Sequence, residues 1–568
     1  MRRLSSLTLA ASALALACAA EVPDVGAPPG AIRGELAAYV ADRLDGTSET
    51  RYALRLEGGG QQRLSFPRDP GLVTGAAIVV WGTPGAGGSL RVDGYRVLDA
   101  GLSVVDERKT SALLAGTPLP ARSFAFVLLD MGNGVNLSKT QATQEMFDAS
   151  FFSVGRGSIR RYYQEASYGL QDITGAVIGP IAFSPATSCD TEGAIALRAQ
   201  VDAMVGATSD NYLWYFGSFQ SGCDWSGLAS LGSPASPTKD TWYNASANCV
   251  VFAQEPGHNF GMQHSSSMRC PLSQTFVDAP DGACAHSEYG DLFDPMGNGC
   301  FHMNGWQKQY QGWLGGCNSV RVSASGTFTL LPLELRCDGI QVLQIPMPHT
   351  RTFSYAGGFT PGTTTDELTY YYVELRSPSG FDQGLAAQVQ VRVGGDYRTH
   401  SQIGLHTWLL DMNPATATFA DAAMSTGQTF YDPAGGVSIT ATAVSASAAT
   451  ITVQIDNGSG APVCLDGTPL TPPGPASCTG ADTGTGGTAG TGAGGDPQGG
   501  GGAGGATGGA AGSTGGSTSG GGCGCSLPGT GSAPRWSLVL AVLSGALGLR
   551  RSRPGRLRGA PRRAVRSA

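Results

Sequence analysis

Charged side chains are scarce in this 568-residue chain, at 14% of its composition, while glycine is abundant at 85 residues. That balance fits an exported, β-rich protein that also carries a low-complexity segment. Basic residues are scarcer than the net charge of −7 implies. Nine arginines cluster between Arg535 and Arg566, and Arg2 and Arg3 open the chain; without these eleven, 25 basic face 43 acidic side chains, a balance of −18. A body this acidic repels phosphate backbones, which excludes nucleic acid as a partner. Residues 31–105 contain no cysteine, so that region cannot silence a metal through a thiolate. The apolar run Trp536–Leu549 is 14 residues long, short of the roughly 20 that a spanning helix needs.

What is present divides the chain. Residues 1–20 read as a secretory signal: Arg2-Arg3, then "LTLAASALALA", then small residues around Cys18. "ALAC" approximates a lipoprotein box with Cys18 as the lipidated residue; an ordinary signal peptide cut after Ala17 or Ala20 stays open beside it. Residues 21–118 hold short alternating runs punctuated by Gly and Pro. They predict an N-terminal small β-barrel or sandwich, either a propeptide or a stable accessory domain. Residues 119–316 mix strands such as "SFAFVLLDM" and "NYLWYFGSF" with helical spacing in "GSIRRYYQEASYG", where Ile159, Tyr162, Tyr163 and Ala166 share one side. This mixture predicts an α+β domain. Residues 317–457 return to strands and predict an antiparallel β-sandwich. Residues 458–522 contain a disulfide loop and a Gly-rich linker that cannot bury enough apolar surface to fold. Residues 523–568 combine "CGC", the apolar run and the arginines.

Cys18 falls in the signal, and Cys523 and Cys525 in the tail; ten cysteines remain. An even count in an exported chain predicts disulfides. Short loops favour Cys270–Cys284, Cys317–Cys337 and Cys464–Cys478, with Cys223–Cys249 and Cys189–Cys300 completing the set.

The chemistry concentrates in "QEPGHNFGMQH", residues 254–264. A helix places residues 254 and 258 on one face. Glu255, one step round, reaches a water on a metal without binding the metal itself. Gly261 permits a sharp turn, which lets His264 add a third ligand. Three protein ligands and a water form the layout of catalytic zinc. Glu255 then serves as general base. The expected ligands are therefore His258, His264 and Gln254. Gln254 stands where a histidine would be the usual donor, and its neutral amide oxygen weakens affinity and opens the site to copper or another divalent ion. Pro256 predicts a late start or a kink in the helix. His286 and His302 read as loop histidines, either able to replace a ligand if the fold brings it close.

This segment resembles the metzincin peptidases, whose helix carries H-E-x-x-H-x-x-G-x-x-H. "SEYGDLFDPMGNG", residues 287–299, looks like their Met-turn, with Met296 as an apolar floor. "SIRRYYQEASYG", "CDWSGLASLG" and "FHMNGWQKQYQGWL" narrow the resemblance to gametolysin-like peptidases over roughly residues 121–316. It implies a Zn2+ metalloendopeptidase acting on a protein or peptide substrate, with substrate lying extended along an edge strand near Leu228–Gly232. The tail resembles a myxobacterial-type C-terminal surface sorting signal. That implies an exported protein held at the cell surface or outer membrane, or released outside the cell, with membrane contact through its C-terminal anchor and through a lipidated Cys18. The competing expectation, carried by Gln254 and Pro256, is an inactive pseudopeptidase serving as a surface binding or adhesion module.

Overall fold

The computed structural model describes residues 27–98, 118–184, 211–270, 284–396, 407–471 and 477–479, with short breaks, and parts of 197–205. The signal-like start, Cys18, Cys189, the Gly-rich linker and the tail lie outside the described residues.

Strand outweighs helix, 43% to 13%, and this overturns the α+β metzincin-like expectation for residues 119–316: the protein is mostly β. The helices that suggested otherwise are short. They are α1 Lys139–Phe147, α2 Ile159–Ala166, α3 Cys249–Asn259 and α4 Gly305–Tyr310. Strands from both flanking regions also join the sheets around them, so the helical spacing read from sequence accounts for little of the packing.

Five strands open the fold: β1 Ile32–Arg43, β2 Ser48–Leu56, β3 Gln61–Ser65, β4 Ala77–Pro84 and β5 Leu90–Val97. They pair in the cycle β1–β2–β3–β5–β4–β1, a closed barrel. Period-2 alternation turns Leu36, Ala38, Val40, Leu54, Ile78 and Val80 into its core. β1 outruns the barrel. Its first residues pair with β4, and Tyr39–Arg43 pair with the next sheet instead.

That next sheet holds β6 Arg122–Asp130, β9 Ile173–Ala182, β10 Asn211–Phe216, β11 Trp225–Ser230 and β12 Asp240–Asn244. A two-residue hairpin, β7 Phe152–Ser153 with β8 Arg156–Gly157, lies apart from it. β6, β9, β10 and β12 run parallel; β11 is antiparallel to β12. Parallel strands covered on both faces read as continuous apolar runs, and "SFAFVLLDM" does so. Phe124, Phe126 and Leu128 pack with the helices, while Ala125, Val127 and Leu129 pack on the opposite face. The predicted side of α2 is buried, and Tyr163 donates its hydroxyl to the Ala253 carbonyl on α3 at 2.7 Å.

An eight-stranded sheet follows, in the order β14 (Ala285–Ser287), β13 (Ser265–Arg269), β22 (Thr407–Leu410), β21 (Gln388–Gly394), β20 (Thr363–Arg376), β18 (Val342–Ala356), β15 (Ser319–Arg321), β26 (Val463–Cys464). A four-stranded sheet of β16 (Gly326–Leu330), β25 (Ala449–Ile455), β24 (Val437–Val444) and β23 (Thr429–Tyr431) shares its core with it. The two-residue β19 (Gly358–Phe359) reaches back to β2. β13 follows His264 directly, so the ligand segment runs into this sheet.

Cys270–Cys284 is bonded as expected; the other proposed pairs are replaced by Cys249–Cys300, Cys317–Cys464 and Cys337–Cys478. Strand pairing rather than short loop length decides this. Cys337 on β17 (Arg336–Asp338) stands directly opposite Cys478 on β27 (Ser477–Thr479), and β15 pairs with β26 beside Cys464. No helix among the described residues is long and apolar enough to cross a membrane.

Candidate metal centre

α3 begins at Asn248, whose side chain accepts the Val251 N–H, and it runs unbroken through Pro256 to Asn259. The expected late start or kink is absent. At its end the Met262 N–H donates to the Gly257 carbonyl and the Gly261 N–H to that of His258, a Schellman stop. Gly261 sits at φ +92°, and a Cβ there would meet the Ser233 Cα at 2.6 Å. Only glycine satisfies both conditions, so this one residue turns the chain and delivers His264. Asn259 locks the helix to the sheet: its amide donates to the Ser230 and Asp240 carbonyls and accepts from the Thr241 hydroxyl. Met296 lies directly beneath, because a Cβ added at Gly257 would stand 2.5 Å from its sulfur.

His258 Nε2 and His264 Nε2 face each other at 3.2 Å. The third group is Asp42, from the end of β1. Its Oδ1 lies 3.0 Å from His264 Nε2 and its Oδ2 3.6 Å from His258 Nε2. The hydrogen-bond network assigns both imidazole tautomers. His258 Nδ1–H donates to the Met262 carbonyl at 2.8 Å, and His264 Nδ1–H donates to Glu288 at 3.2 Å. With both rings neutral, both Nε2 atoms offer lone pairs and the Asp42 carboxylate adds a third acceptor; with no cation between them, His264 carries the proton and donates it to Asp42. Three acceptors converging in a buried place require a cation or a proton between them. Tetrahedral zinc with nitrogen ligands near 2.0–2.1 Å sets its donors about 3.3 Å apart, and the observed separations bracket that value. The buried Asp42, His258 and His264 group can hold a metal ion.

Burial opposes charge on Asp42, His264 and Glu255. At Asp42 the two histidines outweigh burial and hold the carboxyl well below its usual range. At His264 Asp42 and Glu288 outweigh it and lift the imidazole to about 9. Glu255 goes the other way: burial and the neighbouring Asp42 push it well above the carboxylate range. Both of its oxygens lack a hydrogen-bond partner, as does Asp42 Oδ2. Glu255 crosses β11, where a Cβ at Gly227 would overlap its carboxylate. Glu288 is held in turn by the Ser48 N–H at 3.1 Å and by the Ser48 hydroxyl. Tyr289 donates its hydroxyl to Asp42 Oδ1 at 3.0 Å.

The structure thus gathers His258, His264 and Glu255, as the sequence predicts. Gln254 is buried on the same helix with its Nε2 unpartnered. Neither His286 nor His302 joins the group: His286 accepts from the Trp408 indole, and His302 bonds Glu165 and Lys308 elsewhere. Asp42 was missed. It stands 216 residues before His258 in a plain "ADRLDG" strand end, and no local pattern marks it. The edge near Leu228 expected to receive substrate is already paired with β1. No protein-family model matches the chain, and no curated protein matches it.

Proposed function

We propose that this site holds a divalent cation, zinc first among the candidates, and hydrolyses peptide bonds in protein substrates outside the cell. The observation that carries the reading is the convergence of the buried His258, His264 and Asp42 ligand atoms beside Glu255, whose two carboxyl oxygens have no hydrogen-bond partner. A structural carboxyl buried this deeply is normally satisfied. A bound cation supplies Lewis-acid activation of water and of the scissile carbonyl.

The chain's own residues supply the rest. Glu255 stands beside Asp42 with both carboxyl oxygens unpartnered, which suits a base that, once ionised, takes a proton from water at its carboxylate oxygen and hands it to the leaving amine. One water is consumed; its oxygen joins the carbonyl carbon as the C–N bond breaks. Glu288 and the Met262 carbonyl hold the two imidazoles with Nε2 facing inward. Met296 keeps the floor dry. The resemblance to gametolysin-like peptidases supports the same reading, and the disulfides together with the signal-like start and sorting-like tail support export to the cell surface.

A specific observation favours the inactive binding module instead: Glu255, His258 and His264 are 0–1% exposed, so the site is sealed. The test uses the full chain. About one zinc per chain is expected in metal analysis, lost on His258→Ala and on Asp42→Ala. Unfolded casein should be cut by the zinc-loaded wild type, and both a chelator and Glu255→Gln should abolish cutting. Hydrolysis indifferent to both treatments, or none by the zinc-loaded wild type, would overturn the peptidase reading.

A further inference from the structure

A cavity of about 430 Å³ lies at the carboxyl ends of the parallel strands, and it shares no residue with the metal centre. Chain order explains its place. α1 and α2 connect β6 to β9 and pack on one face of the sheet. Between β9 and β10 the chain crosses to the other face, where the helical residues Leu197 and Val201 pack with Ala125, Val127 and Leu129. β9 and β10 therefore flank β6 on opposite sides. The chain leaving β6 leads towards β9, and the chain leaving β10 leads the other way, to β11 beyond β12. The two loops diverge and leave a crevice between them, which is where open α/β sheets bind ligands. Residues 133–136 line it from beyond β6, residues 217–219 from beyond β10, and Asn244 and Ala245 from the end of β12. Its volume falls within the range of small-molecule sites.

The lining is fixed in place by the chain itself. Asp130 Oδ1 accepts the Gly132 and Gly134 N–H groups, both at 2.9 Å, which shapes the loop after β6. Asn136 ties the three segments together. Its backbone N–H donates to the Gly217 carbonyl at 2.8 Å, its side-chain amide donates to the Ala245 carbonyl at 3.2 Å, and its Oδ1 accepts the Tyr215 hydroxyl at 2.8 Å. Asn244 Oδ1 accepts the Gln220 N–H at 2.8 Å and so holds the loop after β10. A Cβ at Gly217 would stand 2.7 Å from Val135 Cγ2, so these two loops meet where only glycine fits. Ala245 sits at φ +55°, a conformation that persists only where the surroundings enforce it and that clusters at ligand sites. A wall held this way has little left to order when a ligand arrives.

The chemistry of the lining selects the ligand. No charged side chain lines the cavity among the described residues, so an ionic ligand finds no counter-charge there. Asn133, Asn136 and Ser218 supply amide and hydroxyl groups that both donate and accept, and beside them stands the ring of Phe219, 53% exposed. Sugar hydroxyls also both donate and accept, and the C–H face of a sugar ring is apolar. One neutral sugar matches both halves of the lining. A nucleobase is held between two apolar faces, and Phe219 is the one ring among the lining residues described. We infer that this crevice binds a neutral sugar, free or as a unit of a larger glycan: the sugar's C–H face lies on Phe219 and its hydroxyls bond Asn133 and Ser218. The inference is independent of the peptidase reading.

The test titrates the full-length chain with glucose, galactose, mannose and N-acetylglucosamine, followed by saturation-transfer NMR. Maltohexaose and chitohexaose form the polymer arm, and adenosine and glucuronate are counter-probes. At least one neutral sugar should bind. Phe219→Ala and Asn133→Ala should each weaken it by about tenfold, the loss of a ring contact or a hydrogen bond, with unchanged melting because both side chains are exposed. A hexamer that binds more tightly than its own monomer would assign the site to a glycan, and equal affinities would assign it to the free sugar. A chelator should change nothing, since no carboxylate lines the cavity. No transfer to any neutral sugar would overturn the inference. So would binding that either variant leaves unchanged, binding lost on chelation, or tighter binding of adenosine or glucuronate.

Discussion

Two of the buried charged clusters among the described residues differ in one respect. The first, between the ligand region and the eight-stranded sheet, centres on Arg376 and Arg392, both wholly buried. Arg376 binds Asp382 and Glu334 and donates to the Phe293 and His302 carbonyls. Arg392 binds Asp291 and Glu374. The carboxylate oxygens left over accept backbone N–H groups: Gly305 on Glu374, Ser377 on Glu334, His302 on Asp382, Phe293 on Asp291. Every oxygen in this cluster is used. The second cluster, Asp42, Glu255, His258, His264 and Glu288, is as deeply buried, yet three of its carboxylate oxygens have no hydrogen bond. Burial is the same; satisfaction is not. The first cluster joins two parts of a fold, and the second contains the group that can hold a metal ion.

Breaking each cluster should expose the difference. The largest effect falls on chemistry. Glu255→Gln should lower casein hydrolysis by about 10²–10⁴-fold, while the denaturation midpoint holds or rises because an unsatisfied buried carboxyl has been removed. Arg376→Met should do the reverse to stability. It strands buried carboxylates and should cost about 3–5 kcal/mol, read as a lower denaturant midpoint at unchanged slope. Chelation should separate the clusters again. A metal at a thousandfold its dissociation constant stabilises by about 4 kcal/mol, so a chelator should lower the melting temperature of wild type but not of His264→Ala. Gly261→Ala combines strain with a clash. Melting should fall by the equivalent of roughly 1–3 kcal/mol, and metal content should fall with it because His264 is displaced.

The smallest effect is a slope in pH. Burial, with Asp291 beside it, raises the Asp294 carboxyl from 3.8 to about 7. The folded chain therefore keeps a proton that the unfolded chain releases near pH 4. The stability this contributes is present below pH 4 and is lost as pH rises through 7. Asp294→Asn should flatten that part of the stability profile, measured by urea denaturation between pH 5 and 8; an unchanged profile would remove Asp294 as its source.

Local patterns carried much of the site. The spacing of Glu255, His258 and His264, the need for glycine at 261 and the buried side of α2 all follow from contacts within one turn or one loop. The barrel strands were legible for a like reason, since alternation marks each strand independently. Proportion was not: helical spacing over a few residues suggested an α+β region, whereas most of what surrounds it is sheet. The disulfides show the limit of chain distance as a guide. Loop length favoured Cys317–Cys337, but cross-strand register set Cys337 against Cys478.

By itself the sequence determined that Glu255, His258 and His264 come from one helix and the turn that ends it, because helix period and turn stereochemistry act over a few residues. Only the tertiary structure decided that Asp42 completes the group and that β1 covers the strand beside it. Pairing between β1 and β11 joins segments nearly two hundred residues apart through backbone hydrogen bonds, which any residue but proline can make. Such pairing leaves no residue-type signature along the chain.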